Sequence, residues 1–168
     1  MSETDKKIKV LTEEGTEVEI PFKIAQMSKL IHGVIDDREE DEEDEAVPIP
    51  NVKKETLDKV VEFCEKHLED PLPEIEKPLR TNKLSDVVPE FYGTFIESLE
   101  VEKLYELILA ANYLDIKDLL ELACAQTAAL MRGKTIPEIR ELFNIENDFT
   151  PEEEAQIREE NRWAEEAI

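Results

Sequence analysis

The chain has 168 residues, 40% of them hydrophobic, which suits one domain with a core, alone or with an extension, and argues against wholesale disorder. Its 20 Lys+Arg against 43 Asp+Glu leave a net charge of −23, making nucleic acid and anionic membrane surfaces poor partners. No stretch approaches the ~20 apolar residues of a membrane span.

The opening residues MSETDKK are polar and lack a signal-peptide core. Residues 8–11 and 18–20 alternate apolar and polar positions around a Glu-Glu-Gly-Thr turn, which predicts a small hairpin. Pro21 suits the first turn of a helix, where a missing N–H costs nothing. Ile24, Met27, Leu30, Ile31, Val34 and Ile35 then recur at helical spacing, over two short helices broken near Ser28.

Residues 36–45 (DDREEDEEDE) hold nine carboxylates and one Arg, a self-repelling run expected to be a solvated loop. It lacks the central glycine and the alternation of a calcium loop. The prolines of 47–52 (VPIPNV) predict an extended piece and a short edge strand. Leu57, Val60, Val61, Cys64 and Leu68 mark one face of an amphipathic helix. Four prolines and dense charge in 69–89 predict a flexible, disordered loop.

Phe91, Phe95 and Ile96 open a short helix. From Val101 to Leu114 apolar residues wrap most of a helix, the pattern of one buried all round. Asp115 is placed to cap the next helix, residues 116–131, and Gly133 to end it. Thr135-Ile136-Pro137-Glu138 and Thr150-Pro151-Glu152-Glu153 are both Thr-x-x-Glu capping boxes with proline in the first turn. The second of these helices is expected over 151–166, with thin apolar content in Ile157, Trp163, Ala164 and Ile168. A little β structure followed by a long helical remainder is an α+β fold dominated by helices.

The inventory for catalysis is poor. Cys64 and His67 are three apart on one helix, half of a zinc site with no second Cys/His pair to complete it, so no metal and no cofactor is expected. A buried thiol beside a surface imidazole is the plainer reading. Neither cysteine sits in a nucleophile motif, and the four glycines never cluster into a phosphate cradle. The chain is not expected to be an enzyme. Ile139, Leu142, Phe143, Ile145, Phe149, Ile157 and the only Trp lie in short capped helices at the end of the chain. They read equally as core closing a domain or as anchors for a partner.

Residues 106–116 (ELILAANYLDI), 131–143 (MRGKTIPEIRELF) and 144–166 (NIENDFTPEEEAQIREENRWAEE) resemble the S-phase kinase-associated protein family, the adaptor of SCF ubiquitin ligases with a BTB/POZ fold. The resemblance is strongest over the last 65 or so residues and weaker in the first strand, the acidic loop, 47–52 and the proline-rich loop. It implies a BTB/POZ-like domain over 1–131, including the 36–45 acidic loop and the 69–89 flexible loop, and a helical F-box-binding extension over 132–168. The implied role is a non-catalytic bridge between a cullin and F-box proteins, with self-association of the unliganded chain a further expectation. Asn112 and Tyr113 match family positions that face the cullin. Leu120, Cys124, Thr127, Met131, Ile139, Phe143, Ile145, Asn147 and Trp163 match positions lining the F-box groove, although Leu120, Cys124 and Phe143 would also serve as ordinary core. In some protist members the proline matching Pro151 is hydroxylated and glycosylated; without that, Pro151 is a helix-starting proline.

This chain departs from the family pattern at three places. Pro137 sits one position late, Ala164 replaces a Cys, and Thr127 replaces an aliphatic residue, which would set a hydroxyl among methyls at a cost of about 1 kcal/mol. Two rival readings make different predictions. An acidic chaperone for basic proteins such as histones would bind any polycation in a salt-sensitive way. Elongin C, an adaptor with the same fold, is shorter than the helices after Asp115 require. Two cysteines cannot build a disulfide framework and suit a reducing compartment, so the expected location is the cytoplasm and nucleus.

Overall fold

The alternation near the amino terminus is realised as a hairpin. Strand β1 (Lys7–Leu11) pairs antiparallel with β2 (Glu17–Pro21), Val10 lying opposite Val18. Gly15 closes the turn at φ +73°, a conformation that glycine adopts without a side-chain clash. Ile8, Val10 and Ile20 point inward and are buried, as a two-residue period demands of a half-covered sheet. Strand β3 (Val47–Pro48) adds to the other side of β1 in parallel, giving the order β2-β1-β3. Pro48 is tolerated because an edge strand need not donate on its free side.

The computed structural model describes residues 6–38 and 45–165. Most of the acidic run expected as a loop, residues 39–44, lies outside the described residues, as do 166–168. Asp36 itself ends a helix.

Between β2 and that run the chain forms α1 (Phe22–Ala25) and α2 (Lys29–Asp36), broken at Ser28 as the spacing predicts. Ser28 is buried and acts twice. Its Oγ accepts the Ile31 N–H at 3.2 Å as the N-cap of α2 and donates to the Leu114 carbonyl at 2.7 Å. One hydroxyl thereby starts a helix and ties it to a segment 86 residues away.

Helix α3 (Lys54–Glu69) buries Leu57, Val60 and Cys64, but not Leu68, which is exposed. Phe63 is the large buried residue of this face, packed against Tyr92 and Phe95 at ring separations of 5.6 and 6.3 Å. His67 is not a surface imidazole. It is half-buried, stacked on Phe63, and its Nδ1 accepts the Leu72 N–H at 3.2 Å.

Residues 69–89 correct the expectation of a flexible, disordered loop. Ile75, Leu84 and Val88 are buried, and a 3-10 turn spans Leu84–Asp86. The Tyr92 hydroxyl donates to the Asp70 carbonyl at 2.6 Å, and the Ser85 N–H donates to the Glu97 carboxylate at 2.8 Å. Single apolar residues spaced far apart leave no periodicity, yet each reaches the core. The turn crosses α4 (Glu90–Glu97) at Gly93, where an added Cβ would stand 2.7 Å from Ser85 Cα.

Helix α5 (Val101–Tyr113) is not buried all round. Leu104, Leu107, Ala110 and Ala111 face the core, while Tyr105 and Leu109 are exposed, Leu109 by 66%. Asp115 does not cap the next helix by its side chain. It adopts φ +51° and ends α5, with the Ile116 N–H returning to the Ala111 carbonyl at 3.0 Å. Its carboxylate pairs with Lys29 at 3.2 Å. Helix α6 (Lys117–Met131) follows, turned inward through Leu119, Leu122 and Ala123.

The chain divides into two units, up to Gly133 and from Lys134 on. The core described above belongs to the first. The second consists of α7 (Ile136–Leu142), α8 (Pro151–Glu160) and α9 (Arg162–Glu165). Both predicted capping boxes form. In α8 the exchange is reciprocal, Thr150 N–H to the Glu153 carboxylate at 2.9 Å and Glu153 N–H to Thr150 Oγ1 at 3.3 Å. In α7 the Glu138 carboxylate accepts from the Thr135 N–H and hydroxyl, each at 2.7 Å. The single helix expected over 151–166 is interrupted at Asn161, whose side-chain amide donates to the Ile157 carbonyl at 2.8 Å. A small sheet with helices in the majority is the α+β class expected.

Candidate partner-binding surface

Helix α6 has two apolar faces, and the core covers only one of them fully. Leu120, Cys124 and Met131 lie along the other, at offsets of four and seven residues that stack them on one stripe. Cys124 and Met131 are exposed and Leu120 half-buried, so none of the three is plain core. They form the floor of an open groove of about 740 Å³, whose opposite wall is Ile75, Pro78 and Leu79. That volume lies within the range of sites that take a ligand or an inserted segment.

Thr127 lies on the same stripe, between Cys124 and Met131, outside the lining of that cavity. It is half-buried, and its hydroxyl donates to the Ala123 carbonyl at 3.0 Å. The expected cost of a bare hydroxyl among methyls therefore does not arise, because the polar atom is satisfied within its own helix.

Asn112 and Tyr113 close α5, Asn112 exposed and Tyr113 half-buried. Tyr105, Leu109 and Asn112, spaced by four and three residues, make a second exposed stripe. Sequence reasoning missed Tyr105 and Leu109 as surface residues. The available signal was an apolar content greater than one buried face of a helix can use.

In the second unit Ile139 is half-buried, Phe143 is buried, and Ile145, Asn147 and Pro151 are exposed. Trp163 is exposed by 72%, far more than a residue closing a core would be. Ile136, Phe149 and Ile157 are exposed too, so this unit shows more large apolar side chains than it hides. Asn147 Oδ1 accepts the Phe149 N–H at 3.3 Å and shapes the approach to α8. Arg140 pairs with Glu154 at 3.1 Å and lies over the Phe149 ring, joining α7 to α8.

The titratable groups do structural work. Lys53 lies 2.7 Å from Glu106, and Lys103 bridges Glu55 and Glu106 at 2.8 and 3.2 Å, linking α3 to α5. The Lys53 ammonium, and after it Lys103, hold the Glu106 carboxyl below the ordinary carboxylate range, against partial desolvation. Burial pushes the Cys64 thiol up to about 12, which suits an inert packing residue and not a nucleophile. Among the described residues no group of three or more His, Cys, Asp or Glu could hold a metal ion, and no helix is long and apolar enough to cross a membrane.

Comparison with known proteins finds matches to one family. Residues 6–69 match the Skp1 family tetramerisation domain, and residues 117–164 match the Skp1 family dimerisation domain. The second match includes α6 with its groove floor, α7, α8 and α9 up to Ala164. A Tetrahymena thermophila protein described as an S-phase kinase-associated protein 1 homolog is 54% identical over 167 residues, covering 99% of both chains. The SCF ubiquitin ligase complex protein SKP1a of Dictyostelium discoideum is 46% identical over 147 residues, 88% of each chain. An Arthroderma benhamiae protein described as E3 ubiquitin ligase complex SCF subunit sconC is 44% identical over 160 residues, covering 95% of this chain and 96% of its own.

Proposed function

As this chain belongs to the Skp1 family, we propose that it is the non-catalytic adaptor of an SCF-type E3 ubiquitin ligase, bridging a cullin to F-box substrate receptors. The observation that carries this reading is the solvent-facing apolar stripe of α6, a helix that already satisfies its core with its other face. An unused apolar face of this kind is stabilised by covering it.

The F-box contacts Leu120, Cys124 and Met131 in the first unit and Ile139, Phe143, Ile145, Asn147 and Trp163 in the second. Thr127, half-buried on the same stripe between Cys124 and Met131, adds to the contact. Trp163 is the large aromatic anchor, of the kind that dominates interfaces once desolvated. The cullin takes Asn112 and Tyr113 with the neighbouring Leu109 and Tyr105. Without partners, the same exposed residues favour self-association. Ubiquitin transfer belongs to other subunits, and this chain contributes geometry and binding energy. It works in the cytoplasm and nucleus. Pro151, exposed at the first position of α8, is the site for hydroxylation followed by glycosylation, and an unmodified intact mass from native cells would exclude that.

The test is reconstitution. The full chain, an F-box fragment and a cullin amino-terminal domain should elute as one complex in size-exclusion chromatography. Leu120→Asp sets a charge in the groove and should weaken F-box binding about 100-fold or more while leaving the cullin bound. Folded protein that binds neither partner would overturn the adaptor assignment.

A further inference from the structure

The groove has a second wall that comes from outside α6. Ile75, 4% exposed, and Leu84, fully buried, pin the chain to the core at both ends of an eight-residue span. Pro78 and Leu79 of that span line the groove opposite Leu120 and Cys124. Two side chains fasten the span across the helix. Lys77 Nζ lies 3.3 Å from the Glu121 carboxylate, and Arg132 Nη1 donates to the Leu79 carbonyl at 2.7 Å. These ties sit near opposite ends of the α6 stripe.

We propose that residues 76–83 form a strap that is the second wall of the F-box groove, so that an F-box segment docks between strap and helix and is read by both. The proposal rests on the adaptor reading and specifies which residues select the partner. The groove is already open with the strap in place, at about 740 Å³, so docking needs no displacement of the strap. A segment held on two sides buries more apolar surface than one laid on a helix face, and affinity follows the buried centre of a contact. The partner fitted by such a groove carries apolar side chains on two opposite sides of the inserted segment. A single apolar face would satisfy α6 and leave Pro78 and Leu79 uncovered.

The ties themselves are surface contacts. Lys77 is 69% exposed and Glu121 49%, a pair of the kind that contributes little to stability. The strap therefore holds its place mainly through the buried Ile75 and Leu84, and its middle presents Pro78 and Leu79 to the partner.

The experiment uses the full chain with Pro78→Ser and Leu79→Ser together, which leaves Ile75 and Leu84 intact. Binding of an F-box fragment is measured by surface plasmon resonance, with a cullin amino-terminal domain and far-UV circular dichroism as controls. About 10-fold weaker F-box binding, seen mainly as faster dissociation, is expected, with cullin binding unchanged. Leu79→Met keeps the apolar wall and should restore most of the affinity. Unchanged affinity in the double variant would overturn the strap as a binding wall, and tighter binding would overturn it by showing an obstruction. A wild-type chain that binds no F-box fragment would instead overturn the adaptor reading, and the strap with it.

Discussion

Removing one hydroxyl at Ser28 should test how the first unit is held together. Ser28→Ala deletes two hydrogen bonds made by one buried atom, from Ile31 N–H at 3.2 Å and to the Leu114 carbonyl at 2.7 Å. Loss of the N-cap costs about 1 kcal/mol. The Leu114 carbonyl, deprived of its donor, adds about 1–3 kcal/mol. Little cavity is left, since only an oxygen is removed. The expected loss is about 2–4 kcal/mol, a large part of the roughly 5–15 kcal/mol by which a domain is stable. Urea unfolding followed at 222 nm reads this directly. The fluorescence of Trp163 would report on the other unit and is the wrong probe. Ser98→Ala serves as a control, because that exposed hydroxyl makes one local bond to Phe95 and should cost about 0.5 kcal/mol or less. Ser28→Asp keeps an acceptor for Ile31 but cannot donate to Leu114 when ionised, so it should be at least as damaging as alanine. A Ser28→Ala loss no greater than that of Ser98→Ala would refute the double role.

Gly93→Ala should destabilise by about 1–3 kcal/mol despite alanine's better helix propensity, because its Cβ would meet Ser85 backbone at 2.7 Å. A gain of about 1 kcal/mol in thermal unfolding would show that the turn yields freely. Glu138 and Glu153 have carboxyls held below the ordinary range, chiefly by the Thr135 and Thr150 N–H groups. Their contribution is complete above the ordinary Glu range and is lost as pH falls through the lowered values. Acid should therefore fray the starts of α7 and α8, and NMR Cα shifts that stay helical for Thr150→Val and wild type alike would contradict this. Finally, Cys124 should react with a maleimide in the folded chain, whereas Cys64 should stay silent until unfolding. A bound F-box fragment should protect Cys124, and equal labelling with and without it would place the partner elsewhere.

Much of the fold was legible wherever a short-range signal was complete. The hairpin, the break at Ser28 and both capping boxes each depend on residues within a few positions of one another, and all formed. The strap failed as a sequence reading for the opposite reason. Ile75, Leu84 and Val88 are isolated among prolines and charges, and nothing local shows that each finds a place in the core. Leu68 and Phe63 show the same limit within a helix. Leu68 belongs to the predicted stripe and Phe63 does not, yet packing against Tyr92 and Phe95 buries Phe63 and leaves Leu68 exposed.

For the candidate site, the family resemblance supplied residue positions, while exposure separated their roles. Cys124 and Thr127 are three apart on α6, yet one lines the groove and the other satisfies its hydroxyl inside the helix. Tyr105 and Leu109 looked like core because an apolar side chain carries no mark of which side of a helix is already occupied. The sequence by itself determined the hairpin, the break at Ser28, the two Thr-x-x-Glu caps and the charge, since propensity, periodicity and local hydrogen bonds act over a few residues. Tertiary structure alone decided which apolar faces remained uncovered. That depends on how much area each neighbour can bury, and a surplus becomes a binding surface only after the core has been filled.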